Sequence, residues 1–250
     1  MAENESFSAE LTRTAGLVQV RAGEFAPFIQ KSPLRWKRTN GRAICNAMSA
    51  TASLGKRATT RELILEHAFE LARVEGLEGL SIGVIAQRVG MSKSGVFAHF
   101  GSREDLQLAV LEVAQLRFLQ NVKWPALKLP RGLPRLRAIV ANWIEWGHEY
   151  ASGCVLLTAT GEYDGREGPL HDAVVQQQSG WRDELCRAIG HAVENGELRA
   201  DTDAPQLAFE IYALMLCLHH DAGLFGYDQA SRHARVGFER LLASYGIPTR

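Results

Sequence analysis

The chain has 250 residues, 46% of them hydrophobic and 22% charged, with a formal net charge of zero. That length suits one or two domains with a buried core, and the balanced charge excludes bulk electrostatics as an argument for nucleic-acid or membrane binding, leaving only local placement of charge. The four cysteines are widely spaced with no Cys-x-x-Cys pair, and the longest strongly apolar run, Ile211 to Leu218, is far short of the ~20 residues that a membrane span needs.

These features predict a reduced, cytoplasmic protein with no membrane segment, no metal and no cofactor. Residues 1–47 hold scattered Gly, Ser, Thr and Arg without a sustained apolar period. Glu3, Glu5 and Glu10, with no basic stretch leading into an apolar block, argue against a secretory signal. Two readings of this segment stay open. Arg35, Lys37, Arg38 and Arg42 would make a disordered basic arm for DNA phosphates. Alternatively the segment is not native, because Met48 opens a short arm of its own.

From Thr59 onward the pattern is helical nearly everywhere, and the expected class is all-α. Thr59 with Glu62 has capping-box spacing, and Leu63, Ile64, Ala68, Leu71 and Ala72 carry a first helix to Glu75. Ser81 opens a short second helix that Gly90 ends. Ser92 opens a third that reaches Phe100. Ser102 with Asp105 opens a fourth, which Pro125 and Pro130 are expected to stop. Further helices are predicted over 133–150, 155–163, 169–195, 203–225 and 228–245. The expected division is an extension over 1–55, a three-helix DNA-binding head over 56–104, and a helical effector-binding and dimerisation domain over 105–250.

Two helices of under ten residues are unstable alone. Placed back to back across a Gly-containing turn, those at 82–89 and 92–100 describe a helix-turn-helix. The second would enter the major groove with its N-terminal end toward base edges. Ser92, Lys93, Ser94, Gly95 and Ala98 offer a small or polar outer face, while Val96 and Phe100, four apart, can face inward. Residues 54–105 carry equal numbers of basic and acidic side chains, so a basic footprint exists only as placement, with Arg57, Lys93 and Arg103 flanking the reading element.

The run from Arg61 to Leu106, with Ile64-Leu65, Ala68, Leu71, Gly76, Ile85-Ala86, Gly90 through Phe100 and Ser102 through Leu106, resembles the DNA-binding head of the TetR family of bacterial repressors. Residues 153–169 and 196–207 are similar to a subgroup of that family. The resemblance implies a homodimer of nine or ten helices per chain, a small-molecule effector in the C-terminal domain, and release of double-stranded operator DNA when the effector changes the spacing of the two heads. It also implies Ser92, Lys93, Ser94, Gly95, Phe97 and His99 as groove and phosphate residues, with Arg103 at a phosphate and Arg57 in a basic arm. Family members commonly carry tyrosine where this chain has Phe97, so a phosphate-bonding hydroxyl is missing and the ring is left to meet a thymine methyl or to pack.

Trp124, Trp143, Trp146, Cys154, Tyr163 and Trp181 are the candidate lining of the effector pocket, against the plainer reading as core. Cys217, in an apolar run, reads as a buried small hydrophobe. His219, His220 and Asp221 are metal-binding types, but adjacent residues diverge by ~100° around a helix and do not converge on an ion. The helices at 204–225 and 228–245 carry the dimer expectation, because the first is apolar around most of its circumference. The competing class is an all-helical ligand-binding protein or enzyme without DNA binding. No phosphate loop, nucleophile elbow or zinc motif supports it, and no catalytic residue is assigned.

Overall fold

Upstream of Thr59 the sequence keeps supplying helix formers, among them Ala50, Ala52, Leu54, Lys56, Arg57 and Ala58. In the computed structural model the first helix, α1 (Ser49–Glu75), therefore starts ten residues before the capping spacing at Thr59 and Glu62 predicts. The backbone is described over residues 49–150 and 153–246, and side chains from Thr59 onward. The expectations for residues 1–47, and for the side chain of Arg57, lie outside these residues. By its internal contacts the chain falls into residues 1–62 and residues 63–250; α1 runs across that boundary.

Two serine-capped helices follow. α2 (Ile82–Val89) begins where the Ser81 hydroxyl accepts the Val84 amide at 3.2 Å, and ends at Gly90 in the left-handed region, φ 68°. α3 (Lys93–Phe100) begins where Ser92 Oγ accepts the Gly95 amide at 3.1 Å. Such caps contribute about 1 kcal/mol each, which matters for helices of eight residues. Ile85 and Ala86 of α2 and Val96 and Phe100 of α3 turn into a core shared with Ile64, Ala68 and Leu71 of α1. α4 (Arg103–Phe118) opens on a reciprocal cap: Ser102 Oγ accepts the Asp105 amide at 2.9 Å and donates to Asp105 Oδ2 at 2.6 Å.

Pro125 does not stop this helix as expected. Leu119–Lys123 widens into a π-helical turn, and Pro125 then sits in the first turn of α5 (Trp124–Ala126). The widened turn, in which the Trp124 amide donates to Leu119 O, changes the hydrogen-bond register just before the proline, which has no amide hydrogen to place. The Asn142 side-chain amide donates to Val122 O at 3.0 Å and satisfies part of the disturbed ladder. The turn also aims Lys123 inward, 2% exposed, with Nζ 2.9 Å from Glu184 Oε2.

The remaining helices are α6 (Leu133–Glu149), α7 (Val155–Tyr163), α8 (Pro169–Glu194), α9 (Ala204–Phe225) and α10 (Tyr227–Tyr245). No strand occurs among the described residues, so the fold is all-α. Aromatic rings centre the C-terminal core. Phe118 meets Trp143, Trp146 and Trp181 edge-on at 5.6, 5.5 and 4.7 Å, and Trp143 meets Tyr212 at 5.7 Å. Edge-to-face pairs add about 0.5–1.5 kcal/mol each beyond their buried area.

Candidate nucleic-acid interface

The caps at Ser92 and Gly101 and the two anchors Val96 and Phe100 leave α3 one free face. Ser92, Lys93, Ser94, Phe97 and Ala98 are exposed, Gly95 and His99 half-buried. Phe97 is 55% exposed and is the one large apolar side chain on that face. Ser92 and Ser94 hydroxyls share a 3.1 Å hydrogen bond. Gly83 of α2 lies under the Lys93 stem, where an added Cβ would stand 3.1 Å from Lys93 Cε. The absence of a side chain at 83 thus leaves room for the Lys93 stem across the start of α2.

Arg103, the residue expected at a phosphate, is also bonded within the head. Its Nε donates to Leu80 O at 2.6 Å, and Nη2 donates to Glu78 O at 2.5 Å and Glu78 Oε2 at 3.0 Å. The guanidinium thus ties the start of α4 to the α1–α2 turn and fixes the angle at which α3, between them, is presented.

The same turn is held from the C-terminal side by α7. Glu162 Oε2 accepts the Leu77 amide at 2.9 Å and Oε1 the Glu78 amide at 3.2 Å. Tyr163 Oη donates to Glu78 Oε1 at 2.6 Å, and Arg166 Nη1 lies 3.0 Å from the same oxygen. The Tyr163 hydrogen bond, helped by Arg103 and Arg166 and opposed by burial, holds the Glu78 carboxyl below its ordinary range. Burial, then the bond to Glu78, pushes the Tyr163 hydroxyl up. No local pattern in the sequence signals that Glu162 reaches a turn 85 positions away.

The candidate pocket residues separate into groups. Trp143, Trp146 and Trp181 meet around Phe118 and are buried. Cys154 is buried and its thiol is pushed up by that burial. Tyr163 belongs to the grip on the head, and Trp124 is half-buried in α5, outside the ring contacts just described. Residues that sequence reasoning missed complete the core. Tyr212 Oη donates to Gln178 Oε1 at 2.5 Å, Gln178 Nε2 donates to Thr160 Oγ1 at 3.2 Å, and Thr160 Oγ1 donates to Leu156 O at 3.0 Å. Gln178 shares a face of α8 with Trp181, a spacing of three that the sequence did contain. The indole N–H of Trp181 is buried with no acceptor among the described residues.

On α9, Leu207, Ile211, Tyr212, Met215 and Leu218 face the subunit's own core. Phe209, Ala213, Leu216, Cys217 and Leu224 form an exposed stripe on the opposite side. Cys217 is therefore exposed, not a buried hydrophobe as its apolar neighbours suggested. No group of three metal-binding side chains occurs among the described residues, and no described helix is long and apolar enough to cross a membrane.

Two family models match this chain. Residues 64–110 match the model described as bacterial regulatory proteins of the tetR family, and residues 132–238 match the tetracyclin repressor-like C-terminal domain. The HTH-type transcriptional regulator SrpR of Pseudomonas putida is 24% identical over 191 residues, covering 76% of this chain and 87% of that relative. A TetR-family transcriptional regulator from Cytophaga hutchinsonii shares the fold with a TM-score of 0.67 and 20% identity, over 78% of this chain and 98% of that one. AibR, solved with isovaleryl coenzyme A and operator DNA, shares it with a TM-score of 0.59 and 21% identity, over 76% and 99%. The matched models span more than half of the chain, head and body in order, and the helix-turn-helix geometry falls inside the first of them: the chain belongs to the TetR family of DNA-binding transcriptional regulators.

Proposed function

We propose that the chain is a homodimeric repressor that leaves its operator when a small molecule binds the C-terminal helices. The observation that carries the reading is the outer face of α3, small and polar except for Phe97, set on a helix too short to stand without its caps and anchors. Ser92, Lys93, Ser94, Gly95, Phe97 and His99 meet the groove and its phosphates, and Arg57 adds a basic contact from α1. Arg103 meets a phosphate while its Nε and Nη2, engaged within the head, help to position α3.

Residues 56–104 act as the head and 105–250 as the sensing and dimerising body, without catalysis. The dimer forms through α9 and α10, where Phe209, Ala213, Leu216 and Val236 are exposed beside an open groove of about 500 Å³ at Leu214 and Gly237. A twofold pair covers both stripes with one isologous contact. The effector enters the aromatic core around Trp143, Trp146 and Trp181, and AibR's complex with an acyl coenzyme A and operator DNA supports this division of labour. α7 couples the two parts: Thr160 touches the core network, and Glu162 and Tyr163 hold the head. An effector preferring a displaced α7 shifts the population toward heads that no longer fit the DNA.

The test is a mobility shift with a duplex from the chain's own promoter region. The wild-type dimer retards it, and the double variant Lys93→Ala, His99→Ala does not, with helicity and dimer size unchanged. Retained binding in the double variant refutes the site.

A further inference from the structure

Buried and half-buried cations of the C-terminal helices have acceptors. Lys123 Nζ lies 2.9 Å from Glu184, Arg117 pairs with Glu66, and Arg135 donates to the carbonyls of Leu127 and Leu129. Arg182 of α8 differs. It is half-buried, yet among the described residues no carboxylate or carbonyl receives its guanidinium, whose carbon lies 4.2 Å from the centroid of the Tyr212 ring. A cation over a ring face is held by its charge, and its N–H donors stay free for an acceptor.

Tyr212 joins this cation to the aromatic core. Its ring meets Trp143 edge-on at 5.7 Å, and Trp143 meets Trp181 at 5.2 Å. Its hydroxyl donates to Gln178 Oε1 at 2.5 Å, and Gln178 lies one turn before Arg182 on the same face of α8. Arg182 therefore stands at the polar margin of the ring cluster. The cluster holds a second unpaired donor, the buried N–H of Trp181, which has no acceptor among the described residues. The Tyr212 hydroxyl and the Gln178 amide are already engaged, with Gln178 and with Thr160.

Two free donors, one of them charged, beside a cluster of rings call for a ligand that brings acceptors and negative charge on an apolar, planar body. A carboxylate offers two oxygens that match the paired N–H groups of a guanidinium. We infer that the effector is an aromatic carboxylic acid, with its carboxylate on Arg182 and its ring among Phe118, Trp143 and Trp181. The inference rests on the effector reading proposed above and names the chemical class that this site takes. The Trp181 N–H gains an acceptor from the same ligand, which removes the cost of leaving it unpaired. An acid that draws Arg182 off Tyr212 also acts on the Tyr212–Gln178–Thr160 chain, and Thr160 is two positions before the Glu162 that grips the head.

The test is calorimetric titration of the full-length protein at neutral pH with benzoate, trans-cinnamate and 2-naphthoate, each beside its neutral amide. At least one acid binds, and its amide binds about 10- to 100-fold more weakly, the range expected for loss of a charge-assisted hydrogen bond. Arg182→Gln loses the same factor for the acid and no longer distinguishes acid from amide, whereas Arg182→Lys keeps the preference for the acid. Trp181→Phe weakens acid and amide alike and leaves their ratio unchanged. Circular dichroism verifies that each variant folds. Amides that bind as tightly as their acids, an Arg182→Gln variant with undiminished affinity for the acid, or a set in which no acid binds overturns the inference. Acid binding that depends on Arg182 but leaves the promoter duplex retarded supports the site and overturns the effector reading beneath it, a different result from absent binding.

Discussion

The carboxylate of Glu162 stands at the end of α1, where its Oε2 receives the backbone amide of Leu77 at 2.9 Å. Leu77 is fully buried, and its amide lies in the turn that separates the supporting helix of the head from α2. A side chain of the C-terminal domain thus completes the hydrogen bonding of the DNA-binding head. Gly76 makes room for it: its φ is 74°, and an added Cβ would lie 2.0 Å from Glu162 Oε1.

Removing this contact loosens the head more than the body. A hydrogen bond to a charged group contributes about 1.5–3 kcal/mol, and two amides share this carboxylate. Glu162→Ala is expected to lower stability by about 2 kcal/mol in urea unfolding, Glu162→Gln by less. Hydrogen exchange should rise at Leu77 and Glu78 before it rises in α8. Unchanged exchange at those two amides would contradict the contact.

Acid weakens the same junction through Glu78. Its carboxyl is held below its ordinary range by the Tyr163 hydrogen bond and then by Arg103. A depressed carboxyl contributes stability that is complete above its unfolded value, near 4.5, and lost as pH falls through the lower folded value. Glu78→Gln should therefore flatten the acid limb of the stability curve below about pH 5 while changing little above pH 7 beyond a constant offset. Tyr163→Phe should cost about 1 kcal/mol near neutrality, discounted for partial exposure. Thermal unfolding across pH 3 to 8 reads both.

Among the described residues the buried N–H of Trp181 has no acceptor, and an unpaired buried donor costs free energy. Trp181→Phe keeps the edge contacts with Phe118 and Trp143, at 4.7 and 5.2 Å, while removing the donor. It is expected to be neutral or stabilising by up to about 1 kcal/mol, whereas Trp181→Ala should cost about 3–5 kcal/mol. A large loss in the phenylalanine variant would mean that the N–H is satisfied.

The α9 stripe gives the proposed dimer its own test. Leu216, 42% exposed in the single chain, lies beside exposed Cys217. Leu216→Glu should shift sedimentation from dimer to monomer and raise the rate at which maleimide labels Cys217. Dimers that persist with an unchanged labelling rate would place the interface elsewhere.

Short helices with serine starts and glycine ends were fully legible in the sequence. Ile82–Val89 and Lys93–Phe100 lie where Ser81, Gly90, Ser92 and Gly101 set them. The start of α1 was not, because Thr59 and Glu62 have the right spacing for a cap inside a stretch that is already helical. Pro125 misled for a related reason, since a π-turn reset the hydrogen-bond register before it. Periodicity located buried faces but not what meets across helices. Trp143, Trp146 and Trp181 stood out by residue type, yet their common neighbour Phe118 and the Gln178–Tyr212 bond depend on tertiary packing. Arg103 matched the position for a phosphate contact, and only the coordinates reveal its bonds to Glu78 and Leu80.

With α3 in a DNA groove and Lys93 near the phosphates, binding must depend on salt. The salt dependence of binding to a duplex selected from a random library, measured for the wild type and for Lys93→Ala, reads this directly. Log affinity should fall linearly and steeply with log salt, and the substitution should reduce the slope by about two, one phosphate for each protomer. A wild-type slope near zero, or an identical slope in the variant, would contradict it.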